Sequence, residues 1–268
     1  MYRTIGDLEI YYEDEGKGRP LVLLHGTGAD TFSWSEMVPR LAPSFRTISL
    51  DLRGFGQTRR PPEPRLSHDL WRDDVRRFLE SLDLGPVALA GWSLGGTVAL
   101  NVAVHAPALI SHLVIIGSAS PRVALSNRGG FDERLRLAQA GFPIEEIIAR
   151  TFEFTASALS PVVRRQDPRA EQLTRALLLR NRPEWYGEAV EANARRPDIG
   201  DRLGDIACPT LVIVGDADTR NGVEHAQDLT KAIPGAFMKV IADCGHFYGF
   251  EQPGATVDAI TRFLAAFA

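Results

Sequence analysis

Ser93, His246 and the aspartates Asp216 and Asp218 are the residues whose types and order along the chain could together do chemistry. A serine hydroxyl is a poor nucleophile at neutral pH. It needs a histidine to take its proton and a carboxylate to hold that histidine in the right tautomer. Ser93 lies in Gly91-Trp92-Ser93-Leu94-Gly95-Gly96, between the apolar run Val87-Ala88-Leu89-Ala90 and a small, helix-compatible stretch that Pro107 ends. Strand, sharp turn and helix are the context in which such a serine stands free at the tip of a nucleophile elbow, the glycines leaving room for the helix to pass the strand.

Partners for Ser93 are expected in the order acid then histidine, each beyond the carboxyl end of a strand. The loop Gly117-Ser118-Ala119-Ser120 contains no carboxylate, whereas the loop after Val214 holds Asp216 and Asp218. One of such a pair caps the next helix, and Asp218 is the preferred catalytic member. Among the six histidines, His68, His105 and His112 precede the acid in or beside predicted elements. His25 sits in a glycine-rich loop that it is suited to organise, and His225 falls inside a predicted helix. His246 follows the acid and comes just past a predicted strand. The oxyanion of an acyl-transfer transition state needs donors as well, and losing one costs about 3–4 kcal/mol. The backbone N–H groups of Leu94 and of Thr27, in His25-Gly26-Thr27-Gly28, are the expected pair.

The elements that must position these groups alternate. Residues 2–13 read as a hairpin turning at Gly6-Asp7, and strands are predicted at 21–24, 46–50, 87–90, 112–116, 209–215 and 237–242. Helices are expected at 34–41, 67–82, 97–105, 222–232 and 252–267. Such alternation argues for an α/β fold with a mainly parallel, doubly wound sheet. Between 119 and 204 the rhythm breaks into amphipathic stretches near 131–140, 143–156, 168–181 and 184–195. They read as a helical lid inserted between core segments 1–118 and 205–268. His25, Trp92, Phe152, Phe154 and Trp185 are the candidates to face substrate, and Leu177, Leu178 and Tyr186 could wall the same pocket, although aromatics at helical spacing more often pack a lid onto its core. Arg164, Arg165, Arg180, Arg182, Arg195 and Arg196 could grip a substrate carboxylate, most of them serving as a solvated face.

Nothing in a net charge of −4 and 24% charged residues suggests a basic surface for nucleic acid. No run approaches the roughly eighteen apolar residues of a membrane span and no signal-peptide pattern opens the chain, so a cytoplasmic location is expected. Cys208 and Cys244 are expected to be reduced. With no H-E-x-x-H, clustered Cys/His or P-loop pattern, no metal or cofactor is expected. The expected partner is a small-molecule substrate, apolar or carboxylate-bearing.

Over essentially its whole length the chain resembles the α/β-hydrolase superfamily. The matching stretches are His25-Gly26-Thr27-Gly28 with Trp34, Asp51-Leu52-Arg53-Gly54-Phe55-Gly56, Gly91 to Gly96, Gly215-Asp216-Ala217-Asp218, and Gly245-His246 followed by Glu251-Gln252-Pro253. The resemblance implies that fold, with Asp218 as the acid, and an esterase, enol-lactonase or C–C hydrolase activity. Hydrolysis of a small carboxylic ester or lactone leads. Non-hydrolytic or C–C chemistry on the same residues, and a slow-turnover receptor, are the alternatives it leaves. C–C hydrolases of this kind usually carry Asn where this chain has Trp92. Many members have Pro after the acid, where this chain has Thr219-Arg220-Asn221.

Overall fold

The computed structural model describes residues 1–121 and 129–267. Eight strands form one sheet in the spatial order β1-β2-β4-β3-β5-β6-β7-β8. They are β1 (Tyr2–Ile5), β2 (Leu8–Glu15), β3 (Arg19–Leu24), β4 (Phe45–Leu50), β5 (Val87–Trp92), β6 (Ile110–Ile116), β7 (Thr210–Gly215) and β8 (Phe237–Ile241). β1 and β2 form the expected hairpin, and β2 runs antiparallel to β4. Every pairing from β4 through β3, β5, β6 and β7 to β8 is parallel. The sheet is therefore an α/β sheet of mostly parallel strands flanked by helices.

The continuous apolar runs become strands covered on both faces, as a parallel sheet requires. Successive residues of one strand enter opposite cores. Val22 and Leu24 of β3, Leu113 and Ile115 of β6, and Val212 and Val214 of β7 lie in one. Leu21, Leu23, Val114, Ile116, Leu211 and Ile213 lie in the other. Helices α2 (His68–Leu82), α3 (Leu94–His105) and α9 (Val223–Ala232) supply Val75, Phe78, Val98 and Leu229 to the first core. The short α1 (Val38–Leu41) and α10 (Tyr248–Glu251), with α11 (Pro253–Ala266), supply Leu41, Tyr248, Ile260 and Phe263 to the second. The one helix expected at 34–41 is instead a 3-10 turn, Thr31–Trp34, and then α1. The turn starts where the Asp30 side chain accepts from the Phe32 N–H.

Between β6 and β7 the described chain holds α4 (Gly129–Gln139), α5 (Ile144–Ala156), α6 (Pro161–Gln166), α7 (Pro168–Leu178) and α8 (Pro183–Ala194). Residues 122–128, inside the expected lid, lie outside the described residues. Sequence patterning did not anticipate α6, a two-turn helix capped by Ser160, whose hydroxyl accepts from the Val162 N–H. α4 packs on α5 and α8, and α7 on α5, α6 and α10. Polar ties fasten this segment to the loops after β3 and β4 and to α10. Arg60 pairs with Glu188 at 2.5 Å, Arg180 with Asp30 at 2.5 Å, and the Glu251 carboxylate accepts from the Ser160 N–H at 2.6 Å. No helix among the described residues is long and apolar enough to cross a membrane.

Candidate active site

Ser93 stands between β5 and α3 with φ 54° and ψ −114°, a conformation rare for a residue with a side chain. It costs roughly 1–3 kcal/mol and persists only where the surroundings impose it. Here they do. The Ser93 N–H donates to the Ile116 carbonyl of β6 at 2.9 Å, and the Ser93 carbonyl accepts from Gly96 and Thr97. A methyl group on Gly95 would lie well inside contact distance of the Leu24 carbonyl of β3, and one on Gly96 would run into the Ser118 hydroxyl. The glycines are thus required by the close approach of α3 to the strand ends, and neither has positive φ.

His246 follows β8 and Asp218 follows β7, so the fold carries both to the end of the sheet where Ser93 stands. His246 Nε2 lies 3.1 Å from Ser93 Oγ, and its Nδ1 lies 2.9 Å from Asp218 Oδ2. A carboxylate can only accept, so Nδ1 carries the proton and Nε2 is left to accept from the serine hydroxyl. The backbone fixes the histidine as well: its N–H donates to the Ala158 carbonyl at 2.7 Å, and its carbonyl accepts from Trp92 Nε1 at 2.8 Å.

The Asp218 side chain is fully buried and saturated with donors. Its Oδ1 accepts from the N–H groups of Arg220 and Asn221, at 2.8 and 3.0 Å, and its Oδ2 accepts from Tyr248 at 2.9 Å as well as from His246. Burial pushes this carboxyl up, but the electrostatic attraction and hydrogen bond of His246, with the Asn221 and Arg220 N–H groups, outweigh it and hold the group below its ordinary value. Asp216 is placed differently and accepts from the Cys244 N–H at 3.2 Å, tying two loops together. Tyr248 was not foreseen from sequence. The available signal was its position two residues past His246, beside a buried carboxylate that needs donors. Burial pushes its hydroxyl well above the ordinary value, so it stays protonated and donates.

A cavity of about 480 Å³ opens over Ser93 and His246, within the range of small-molecule sites. Thr27 and Leu94 line it. Leu94 is the first residue of α3, so its N–H has no acceptor four residues back. Of the residues expected to face substrate, Trp92 and Phe154 lie on the cavity wall. The other three do not. His25 is fully buried beneath its loop, its Nδ1–H donating to the Gly26 carbonyl at 2.8 Å and its Nε2 accepting from the Leu52 N–H at 2.9 Å. Burial pushes its pKa down to about 4. Phe152 belongs to a small core with Ile144, Ile148, Ala156 and Leu178, and Trp185 is covered by the guanidinium groups of Arg60 and Arg182.

The arginines sort in the same way. Arg164 pairs with Glu153 and Glu171, and Arg180 with Asp30. Arg195 and Arg196 line the cavity, as do Arg134 and Arg220, which were not among the arginines expected to grip substrate. Among the described residues, no group of three or more His, Cys, Asp or Glu side chains is placed to hold a metal ion.

A family model described as alpha/beta hydrolase fold matches residues 19–253. The chain is 30% identical over 265 residues to the pimeloyl (acyl-carrier protein) methyl ester esterase of Photobacterium profundum, covering 94% of this chain and 97% of that protein. It is 28% identical over 275 residues to the 2-hydroxy-6-oxononadienedioate/2-hydroxy-6-oxononatrienedioate hydrolase of Paraburkholderia xenovorans, covering 97% and 92%. Among solved structures, a thermophilic esterase from Thermogutta terrifontis with malate bound matches with a TM-score of 0.84 at 30% identity, covering 99% of this chain and 96% of that one.

Proposed function

The chain belongs to the alpha/beta hydrolase fold family, and we propose that it is a serine hydrolase cleaving a small carboxylic ester or lactone through an acyl-enzyme. The observation that carries this reading is the relay from Asp218 through His246 to Ser93, with contacts of 2.9 and 3.1 Å, opening onto the cavity beside the Leu94 N–H. In this reading Ser93 Oγ attacks the ester carbonyl while His246 Nε2 takes its proton. Asp218 holds the imidazole and offsets the charge it gains. The N–H groups of Leu94 and Thr27 hold the oxyanion. His246 then returns the proton to the leaving alkoxide, and a water that it deprotonates releases the acid and frees Ser93. α4 to α8 act as a lid that walls the cavity and sets substrate choice. Relatives that are esterases, from Photobacterium profundum and Thermogutta terrifontis, support the ester reading.

The test is stopped-flow release of p-nitrophenol from acetate through octanoate esters, on the wild type and on Ser93→Ala. A burst followed by steady turnover is expected, with the burst absent and turnover lowered by about 10⁴-fold or more in the variant. Full activity in Ser93→Ala would sink the acyl-enzyme. The Paraburkholderia xenovorans relative favours a second reading, hydrolysis of a 2-hydroxy-6-oxo-dienedioate on the same residues. Turnover of that compound, with none of the p-nitrophenyl esters, would establish it over the first.

A further inference from the structure

We propose that the substrate carries, besides the scissile ester, an anionic group of the carboxylate type that docks on Arg134 and Arg220 at the cavity wall. The proposal rests on the ester reading above for the reaction, but on separate observations for the anion.

Arg134 is 3% exposed and lines the same cavity as Ser93. Its Nε donates to the Thr151 hydroxyl at 2.9 Å, Nη1 to the Tyr186 hydroxyl at 3.0 Å, and Nη2 to the Thr151 carbonyl at 3.2 Å and the Thr155 hydroxyl. These acceptors are neutral, and among the described residues no carboxylate pairs with Arg134. A guanidinium has five N–H groups and never deprotonates, so one Nη1–H and a whole charge are left for a ligand. A buried charge without a counter-charge is expensive, and an anion arriving in the cavity relieves it.

Arg220 is 8% exposed and presents a second guanidinium to the same place. It stacks over the Phe154 ring with its central carbon 3.6 Å from the centroid, while that of Arg134 lies 5.4 Å from the same centroid. Burial and the positive charge of Arg134 push Arg220 down to about 10, against the attraction of the Asp218 carboxylate, and the two guanidinium groups repel each other. Neither acid on the wall pairs with Arg134. Asp132 is exposed, and Glu191 is engaged by Arg65 at 3.0 Å and Arg195 at 2.6 Å. Phe154 backs the pair with an apolar plane, suited to an aliphatic chain between ester and anion. Arg220 also lies in the stretch after the acid where a proline would be the familiar residue, and its own N–H holds Asp218.

The experiment compares monomethyl esters of the linear dicarboxylic acids from glutarate to suberate with the corresponding ω-amides, which match them in shape without the charge. A hydrogen bond to a charged group contributes about 1.5–3 kcal/mol, so kcat/KM should favour the carboxylate by roughly 10- to 100-fold at the best chain length. Arg134→Gln and Arg220→Gln should each bring the ratio towards one. Arg262→Gln, which alters an exposed helix pair with Asp258, should keep the wild-type ratio. Thermal melts of the wild type with adipate and with adipamide read the same site without turnover, and only adipate should stabilise. Equal or better turnover of the amides overturns the anion site and leaves the ester reading standing. Stabilisation by adipate that Arg220→Gln abolishes, with no ester cleaved, upholds the anion site and overturns the ester reading. Neither turnover nor stabilisation overturns both.

Discussion

Replacing Tyr248 by phenylalanine removes a single oxygen atom that two parts of the site share. That hydroxyl donates to Asp218 Oδ2 at 2.9 Å and accepts from the Gly215 N–H at 2.9 Å, and the side chain is 2% exposed. In Tyr248→Phe the Gly215 N–H is buried without an acceptor, at a cost of about 1–3 kcal/mol, and the carboxylate loses a charge-assisted bond contributing about 1.5–3 kcal/mol. Asp218 keeps its bonds from Arg220, Asn221 and His246, so it is weakened and not orphaned. A net loss of roughly 3 kcal/mol follows, equivalent to roughly 6–12 °C in Tm for a chain of this size. Equilibrium urea unfolding, read by circular dichroism, should be run on Tyr248→Phe, Asp218→Ala and the double variant. The double variant should be about 1.5–3 kcal/mol less destabilised than the two singles added, that difference being the Tyr248–Asp218 bond and the remainder the Gly215 orphan. A cost below about 0.5 kcal/mol in Tyr248→Phe, or strict additivity, would refute the reasoning.

Gly95→Ala and Gly204→Ala make a matched pair. The first forces a methyl into the Leu24 carbonyl and should cost more than about 3 kcal/mol or give insoluble protein, whereas the second meets nothing within 4 Å and should leave stability unchanged or up to about 1 kcal/mol higher. Similar solubility and unfolding midpoints for the two would contradict the packing described at the elbow. Stability should also depend on pH in two opposed ways. Burial pushes His25 and His68 down to about 4, so between pH 4 and the ordinary histidine value near 6.5 the unfolded chain binds more protons. Stability then rises with pH, by up to about 1.4 kcal/mol per unit for each group. Burial and the neighbouring Asp30 push Asp51 up to about 7, so between its ordinary value near 3.8 and pH 7 the folded chain holds the extra proton, and this contribution to stability falls with rising pH until about pH 7 is passed. Urea unfolding at half-unit steps should show a net rise to about pH 6.5 that His68→Gln flattens. It should then show a fall that Asp51→Asn removes. A profile that is level throughout and parallel in both variants would rule the titrations out.

Much of the sheet was legible because burial on both faces writes itself as continuous apolar runs. Leu21 to Leu24 and Thr210 to Gly215 could hardly be anything but inner strands, and the structure pairs them as such. The order of Ser93, Asp218 and His246 was legible for a related reason. A parallel sheet delivers the end of each strand to one edge, so residues far apart in the chain but equally placed after strands meet there. Asp216 and Asp218 could be separated from sequence only by preference and resemblance. In space the loop turns Asp216 towards Cys244 and Asp218 towards His246, and the Arg220 and Asn221 N–H groups close around the second.

What escaped is what depends on which way a side chain points. Phe152 and Phe154 are two apart on α5, so a helical turn sends them to different faces, one into a small core and the other onto the cavity wall. Nothing in their identity distinguishes them. The arginines fail for the same reason and for a further one. A sequence rich in arginine reads as a solvated face, and most of its arginines do sit beside an acid on a neighbouring turn or element. Arg134 meets only hydroxyls and a carbonyl, because Thr151, Thr155 and Tyr186 reach it from two other helices. Its lack of a counter-charge is a fact about three elements at once. A charge held away from both water and acid is the kind of feature that folding alone does not reward. Where it borders the cavity that also holds Ser93 and His246, the anion proposed to complete it belongs to the proposed substrate.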